Sequence, residues 1–508
     1  MQQSVIKKYI QVDALIYLLI LALVLIVRYL VLINFAFKYT DSDQSIMWLG
    51  LKDYSKGIFH EPRFYGQAYN SMLEALFTVP LYKLGLAAYK ALPIVTSILT
   101  LLPYIIISLF AFLKKNTKIS FVILSIPLLL PIEYSLITSL SRGFVTGICI
   151  SAIGCIATFY PRSKFSFLFC GLIAILAYTI NSNSVLLSFP CLLFLFLENI
   201  KNKYFYLFSS IGIIVGLIIH FWINYFYLLH PYYNLHQMQL DFSPGTLIAS
   251  LTELDIYFNN TIPIFWGTGF LVLPLFLIIA FLLYRKKEYT KAITVALIPI
   301  TIILSLGIGK VHDGTDSIFF SYSRMYLSIP ILLGFSLSFF TGITNSKLFY
   351  FYLLIPCTFF FYQINILNDK IAANISPSKN HVVSVIEVKK LADECNYLKT
   401  ICTDNKIQLI VISDHWFYDF YDYGCPSCMD SFPNTLRPSY ERRTWRLLED
   451  ERKIYPTILI IDTKRNFACE FNFVKKVDHT ENFYIIENNK LHTMDLLNLI
   501  HIEYRKYK

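Results

Sequence analysis

Two carboxylates stand one residue apart near the N-terminus, Asp41 and Asp43, directly after a long apolar run. Carboxylates in such a position could act as a general base, bind a metal ion or accept hydrogen bonds from hydroxyl groups. The alternative interpretation is helix capping, in which an Asp side chain accepts backbone N–H groups. Residues from Gln44 onward have the pattern of an amphipathic helix, on which positions i and i+2 diverge by about 200°. We therefore expect Asp43 to cap this helix and Asp41 to be the reactive group.

More polar and aromatic residues follow in the same segment, 36–92. Residues 64–69 read FYGQAY and residues 73–75 read LEA. A polar cluster precedes the first of these motifs: His60, Glu61 and Arg63. Two arginines stand farther along the chain at predicted helix ends, Arg142 in SLSRGF and Arg324 in SYSRMY. Arginine at a helix end can bind a phosphate group, or it can extend toward lipid headgroups without further function.

The acidic pair after a first apolar run, followed by FYGQAY and LEA, resembles the first outer loop of GT-C membrane glycosyltransferases. The nearest pattern is that of bacterial polyprenyl-phosphate-sugar-dependent mannosyltransferase-like and protein O-mannosyltransferase-like enzymes, and it covers about residues 39–80. The resemblance implies that Asp41 or Asp43 deprotonates or orients an acceptor hydroxyl, and that basic side chains stabilise a lipid-phosphate leaving group. The motif residues expected to bind substrate are Tyr65, Gln67, Tyr69 and Glu74. Because of their positions, the neighbouring His60, Glu61 and Arg63 and the helix-end residues Arg142 and Arg324 are added as candidate substrate-binding residues, although a loop histidine can also be simply solvated.

The function expected from this resemblance is transfer of a hexosyl group from a polyprenyl-phosphate donor. The acceptor would be a glycolipid, a polysaccharide precursor or a protein on the outer face of the membrane. No cofactor is required, although a divalent cation is compatible with the acidic residues. Two alternatives remain open: a transporter or flippase of lipid-linked sugars, and a polysaccharide polymerase or ligase that uses the long segment 228–262. Nucleic acid is not an expected partner, because residues 379–508 carry 19 basic and 19 acidic side chains.

The composition predicts the elements that position these residues. Hydrophobic residues make up 56% of the 508 and charged residues only 15%, so much of the surface must face lipid. Apolar runs long enough to cross ~30 Å of hydrocarbon occur eleven times. They are 12–35, 93–113, 119–139, 143–160, 164–180, 183–199, 203–227, 263–284, 290–309, 325–342 and 347–368.

Basic clusters alternate with weakly charged segments between these runs, and six clusters fall on one side. They are Lys7/Lys8, Lys114/Lys115/Lys118, Arg162/Lys164, Lys201/Lys203, Arg285/Lys286/Lys287/Lys291 and Lys347. Because basic loops stay in the cytoplasm, the N-terminus is expected there and the tail outside a bacterial inner membrane. The first run lacks a cleavage site and should remain as an anchor. Three outer loops result, 36–92, 228–262 and 310–324, and the last two should border the same cavity.

The fold class is therefore a GT-C-like helical membrane domain, 1–370, followed by a small extracytoplasmic α/β domain, 371–508. Residues 381–400 have helical spacing, whereas 407–413 and 457–462 read as buried strands. The remaining predicted elements are strands at 470–476 and 483–487 and a helix near 491–503.

The tail also contains a CxxC sequence, Cys425-Pro-Ser-Cys428. No second CxxC is present to complete a zinc site, so we predict a structural disulfide between these two cysteines. The aromatic segment 416–423 and four later arginines could bind glycan or phosphate, or form a solvated face: Arg437, Arg442, Arg443 and Arg446. Within the apolar runs, Glu133 is either functional or paired with Arg142.

Overall fold

The computed structural model is mostly helical, with a small region of β-sheet toward the C-terminus. It describes residues 2–233, 235–238, 240–341, 349, 351–378, 385–477, 480, 482–488 and 490–504. Of residues 2–11 and 376–378 only the backbone is described.

The connections between the helices up to residue 378 include π-helical and 3-10 turns. They are α1 Gln2–Val31, α2 Ser42–Ser55, α3 Leu73–Lys83, α4 Ala88–Leu113, α5 Thr117–Leu129, α6 Ile132–Ile137, α7 Phe144–Gly154, α8 Lys164–Ile180, α9 Val185–Glu198, α10 Lys203–Leu229, α11 Pro244–Ser250, α12 Leu254–Phe258, α13 Val272–Arg285, α14 Tyr289–Ser305, α15 Ile329–Ser338 and α16 Leu354–Ser378.

Three of the helical segments that the structure describes are long and apolar enough to cross a membrane: Val12–Ala36, Ala88–Leu113 and Lys203–Leu229. They match the predicted spans 12–35, 93–113 and 203–227. The other eight spans stay predictions, and residue 342 of one span and residues 347, 348 and 350 of the next lie outside the described residues.

Several predicted spans contain helices of only 10–17 residues, which is less than the roughly 20 that a full crossing needs. The run 119–139 shows why. It is divided between α5 and α6, because the chain turns extended at Leu130 and Pro131. Proline has no N–H to donate into a continuing helix and is well suited to the start of a new one.

The C-terminal region is built around a five-stranded sheet. Its elements are β2 Val385–Glu387, α17 Val388–Asp404, β3 Leu409–Asp414, α18 Cys425–Cys428, β4 Asn434–Leu436, α19 Thr444–Asp450, β5 Thr457–Asp462, α20 Phe467–Glu470, β6 Val474–Lys476, β7 Phe483–Glu487 and α21 Thr493–Leu499. The sheet order is β4-β3-β5-β7-β6, in which β3 runs parallel to β4 and β5, and β7 runs antiparallel to β5 and β6.

Strand β3 shows why the predicted strand 407–413 matches an observed one to within two residues. Leu409 and Val411 pack into the core on one face of the sheet, and Ile410 and Ile412 pack into the core on the other. A strand buried on both faces has a continuous apolar sequence, which is how the run 407–413 reads.

The C-terminal region contacts the segment that follows α1. A short strand, β1 Tyr39–Asp41, pairs antiparallel with β2 so that Thr40 lies opposite Ile386. One hydrophobic core contains Trp48 of α2, Tyr65 of the following loop and Leu391 of α17. The segment that carries the acidic pair is thus packed directly against the C-terminal region.

Two pairings differ from the predictions. The disulfide joins Cys425 to Cys395 of α17, with 5.3 Å between the Cα atoms, and Cys428 is an exposed free thiol. The predicted Cys425–Cys428 bond was wrong because α18 directs Cys425 into the core against α17. Glu133 does not pair with Arg142; its carboxylate binds Lys370 Nζ at 2.9 Å.

Candidate active site

Asp41 is the N-terminal cap of α2. Its Oδ1 accepts the backbone N–H of Gln44 at 3.0 Å, and its Oδ2 accepts the side-chain amide of Gln44 at 2.7 Å. The assignment of the cap to Asp43 was therefore wrong. The strand β1 ends at Asp41 with an extended backbone, which is the conformation that a cap requires, and Asp43 lies inside the first turn.

The second partner of Asp41 is Arg142. Its Nη2 lies 2.7 Å from Asp41 Oδ2, and its Nε donates to the same oxygen at 3.1 Å. The Asp41 side chain is fully buried and that of Arg142 is 4% exposed. Burial raises the pKa of the Asp41 carboxyl, and the charge on Arg142 opposes that rise. This pair fixes the start of α2 from inside the protein.

Asp43 occupies a different environment, on the wall of an open cavity. Its Oδ1 accepts Arg442 Nη1 at 3.0 Å, and the side chain is 23% exposed. Burial acts to raise the pKa of this carboxyl, but Arg442 and Arg142 outweigh burial, so that its pKa lies below the ordinary value. The charge on Arg324 acts in the same direction. Asp43 is therefore an ionised carboxylate at neutral pH.

The cavity at Asp43 has a volume of about 790 Å³, enough for a sugar ring with its neighbours. Four parts of the chain contribute to its lining: the segment 36–92, the loop 228–262, the loop 310–324 and the C-terminal region. The lining includes side chains that can ionise or form hydrogen bonds: Asp43, Gln67, Tyr69, His236, Asp313, Asp419, Arg437, Tyr440 and Arg442. The expectation that the two later loops border one cavity is confirmed by His236 and Asp313.

Further positive charge lies beside this cavity. Lys310 Nζ donates to Tyr69 Oη at 3.2 Å and to Asp313 Oδ2 at 2.5 Å. The guanidinium of Arg324 packs 3.9 Å from the centroid of the Phe320 ring and donates to the backbone oxygen of Asp313. Both cations thus contact residues of the cavity wall, which places them near enough to attract an anionic group.

His60 and Glu61 line a second, mostly apolar groove of about 520 Å³ against α10. The His60 ring stacks on Trp445 with 3.4 Å between centroids. Glu61 is 3% exposed and accepts Tyr227 Oη at 3.1 Å, and burial raises its pKa to about 8. These two residues do not share the cavity of Asp43.

Three other predicted residues are buried and serve the fold. Arg63 donates to Asn224 Oδ1 at 2.9 Å, and Tyr65 donates to Asp53 Oδ2 at 2.9 Å. Glu74 is fully buried and accepts Thr96 Oγ1 at 2.9 Å. Of the eleven predicted site residues, the cavity wall includes Asp43, Gln67 and Tyr69, with Arg324 directly behind it.

The glycine of FYGQAY has a clear physical role. Gly66 has φ of +74°, and a Cβ there would lie 2.9 Å from the Cβ of Arg442. Only glycine combines this backbone conformation with so close an approach. The motif therefore allows the segment around Arg442 to sit against the first loop.

The sequence pattern alone does not place Arg442 or Asp419 at the site with Asp43. Nothing in the local pattern of residues 416–446 distinguishes cavity residues from a solvated face, because the contact spans almost 400 residues. The one sequence signal is the run of arginines after an aromatic segment, and it predicts a glycan or phosphate site without a partner for Asp43.

Among the described residues no group of three or more His, Cys, Asp or Glu side chains is arranged to hold a metal ion. A comparison with protein-family models found no match for this chain, and a search of the curated proteins found none either.

Proposed function

We propose that the protein is a GT-C-type glycosyltransferase that moves a sugar from a polyprenyl-phosphate donor to an acceptor held in the cavity at Asp43. The observation that carries this proposal is a carboxylate on the wall of a polar cavity, Asp43, which is paired with Arg442. Lys310 and Arg324 add positive charge because both contact Asp313 of the same wall. A carboxylate to orient an acceptor and cations to receive a phosphate are the two components that such a transfer needs.

In the reaction the acceptor hydroxyl oxygen forms a bond to the anomeric carbon of the donor. The bond between that carbon and the phosphate oxygen breaks, and its electron pair leaves with the polyprenyl phosphate. The acceptor proton passes to the Asp43 carboxylate and then to solvent. Because a carboxylate with a low pKa is a weak base, Asp43 contributes mainly by orienting the hydroxyl and taking its proton late in the transition state. Lys310 and Arg324 stabilise the charge that develops on the leaving phosphate.

The apolar groove beside α10 supports a lipid-linked donor. It is lined by Phe59, Leu76, Trp222 and Phe226 and follows the outer end of a helix that is apolar enough to span a membrane. The eleven-span arrangement, with a cytoplasmic N-terminus and an extracytoplasmic C-terminal domain beginning near residue 371, belongs to the same proposal. In that arrangement the cavity opens at the outer face of a bacterial inner membrane.

The test is an assay of purified full-length protein in lipid nanodiscs with a panel of polyprenyl-phosphate sugars. The proposal predicts release of free polyprenyl phosphate from at least one donor, measured by chromatography, with and without EDTA to determine whether a cation is needed. As a control, Asp430→Asn alters a fully exposed carboxylate that does not line the cavity, and it should leave the rate unchanged. Movement of intact donor across proteoliposome membranes, with no cleavage of any donor, would contradict the proposal and favour a transporter.

A further inference from the structure

The C-terminal region forms a distinct part of the cavity wall, and its chemistry differs from that of the membrane part. Tyr418 and Tyr440 both line the cavity, and the Tyr440 side chain is 53% exposed. The guanidinium of Arg437 lies between them, 3.5 Å from the centroid of the Tyr418 ring and 4.8 Å from that of Tyr440. We call Tyr418, Asp419, Arg437 and Tyr440 the tyrosine–arginine wall.

Arg437 is held in place by Asp419, which accepts its Nη1 at 3.0 Å. Both side chains retain some exposure, 15% for Arg437 and 19% for Asp419. The wall therefore presents fixed N–H donors and carboxylate lone pairs next to each other. Adjacent hydroxyl groups on a pyranose ring need such a pair, one group to donate and one to accept, and the exposed tyrosine ring offers a flat apolar surface for the C–H face of the sugar.

Buried ion pairs hold the segment that carries the wall. Arg443, which directly follows Arg442, is 4% exposed. Its guanidinium binds Glu441 Oε2 at 3.0 Å and also binds Asp422. These buried pairs fix the segment that follows Arg437. A site whose polar groups are already fixed loses little entropy when it binds a ligand.

We propose that the tyrosine–arginine wall is the acceptor subsite and that the acceptor is a saccharide rather than a peptide. This inference rests on the proposed glycosyl transfer at Asp43 and adds to it the class of the acceptor. The wall and Asp43 share one cavity, and Arg442 joins them because it lies in the same segment as Arg437 and pairs with Asp43.

One common mode of peptide binding adds an extended peptide to a free strand edge, and the strand nearest the wall does not offer such an edge. Strand β4 is at the edge of the sheet, immediately before Arg437. Thr435 and Leu436 of this strand are 2% and 0% exposed, and the backbone oxygen of Thr435 accepts Arg443 Nη2 at 3.1 Å. An extended peptide therefore cannot add to this edge by main-chain hydrogen bonds.

The experiment uses purified full-length protein and two immobilised ligand panels, one of oligosaccharides and one of short random-sequence peptides. Wild-type protein should bind one or more oligosaccharides, and Tyr440→Ala and Arg437→Gln should weaken that binding about tenfold or more. Tyr397→Ala is the matched control: this tyrosine of α17 is 48% exposed and lies outside the cavity, so binding should be unchanged.

Equal saccharide binding by Tyr440→Ala and Tyr397→Ala would overturn the inference, as would a wild-type protein that binds no saccharide. Binding of peptides that Tyr440→Ala abolishes would overturn it in favour of a protein acceptor. Release of polyprenyl phosphate from donor by the wild-type protein is measured separately. If saccharide binding depends on Tyr440 but no polyprenyl phosphate is released from any donor, the saccharide subsite is supported and the proposed glycosyl transfer is contradicted.

Discussion

At the scale of single residues, the two aspartates have opposite environments although only one residue separates them. Asp41 has no exposure and is engaged by Gln44 and Arg142, whereas Asp43 lines the cavity and faces Arg442. Asp41 is accordingly a structural residue that positions α2. Asp43 is the carboxylate that a ligand can reach.

Removal of the Asp41 charge should damage stability. Asp41→Asn leaves the buried Arg142 without its anion, and an unpaired buried charge costs on the order of 3 kcal/mol or more. We expect the free energy of unfolding in detergent, measured by denaturant titration, to fall by about 3 kcal/mol. The exposed variant Asp430→Asn provides the control and should show no measurable change, since the Asp430 side chain is fully exposed. An equal effect of the two variants would show that Asp41 is not the buried partner of Arg142.

The pH dependence of the rate should report the pairing of Asp43 with Arg442. Arg442 lowers the pKa of Asp43, so the ionised form persists to acidic pH and the acid limb of kcat/KM lies below the ordinary Asp pKa of 3.8. Arg442→Gln removes that charge, which raises the pKa and moves the acid limb to higher pH. The measurement is a pH–rate profile normalised to its own plateau, and Arg452→Gln, at an exposed site, is the control. Superimposable profiles for wild type and Arg442→Gln would contradict the pairing.

At the scale of elements, sequence patterns predicted some features well and others poorly for identifiable reasons. The strands β3 and β5 follow from short apolar runs bounded by polar residues, and both lie within a residue or two of the predicted bounds. The predicted strand 470–476 is only Val474–Lys476, because residues 467–470 form a helical turn instead. Local sequence cannot reveal β1, whose three residues become a strand only by pairing with β2 more than 340 positions later.

The same limit applies to the site. Gln67 and Tyr69 of the motif FYGQAY line the cavity at Asp43, but the nearby His60 and Glu61 line the other groove. Closeness in sequence does not predict which cavity a residue of this loop lines, because the loop runs between the two cavities. The partner of Asp43 comes from the C-terminal region, and no periodicity in either segment encodes that contact.

The disulfide between α17 and α18 allows a chemical test of how these two helices pack. Peptide mapping of unreduced protein should recover Cys395 linked to Cys425 and a freely alkylated Cys428. Cys395→Ser should lower stability by about 2–4 kcal/mol, the usual contribution of a disulfide, while Cys428→Ser should not. Recovery of a Cys425–Cys428 disulfide would reject the observed packing of α17 against α18.

At the scale of the whole molecule, the acidic site depends on a contact between the chain's two ends. The β1–β2 pairing, the shared core around Trp48 and the Asp43–Arg442 pair all join the segment after the first helix to the C-terminal region. Any membrane arrangement must therefore place Asp43 and Arg442 on the same side, so the chain must cross the membrane an even number of times between them. The eleven-span proposal meets this condition, because ten of its spans lie between Asp43 and Arg442.

Topology can be tested by cysteine labelling in intact spheroplasts. Single cysteines introduced at Lys115 and Lys286 should be shielded from a membrane-impermeant maleimide, because both lie in basic clusters expected in the cytoplasm. Cysteines introduced at Asn260 and Asp430 should react. Labelling at Lys286 without labelling at Asp430 would contradict the proposed orientation.

The background for this labelling must lack the exposed native thiols, Cys428 and Cys469. Permeabilised spheroplasts supply the control, because the reagent then reaches both sides of the membrane and all four introduced cysteines should react. A position that fails to react after permeabilisation is replaced by a neighbouring exposed residue.

The central claim, that sugar transfer takes place at Asp43, is tested most directly by the single-turnover rate of polyprenyl phosphate release. Full-length wild-type protein and Asp43→Asn are compared with saturating donor and acceptor. The substitution preserves shape and removes the charge, so we predict a rate lower by about a hundredfold or more, with an unchanged unfolding transition. A rate for Asp43→Asn equal to that of the wild-type protein would contradict the account.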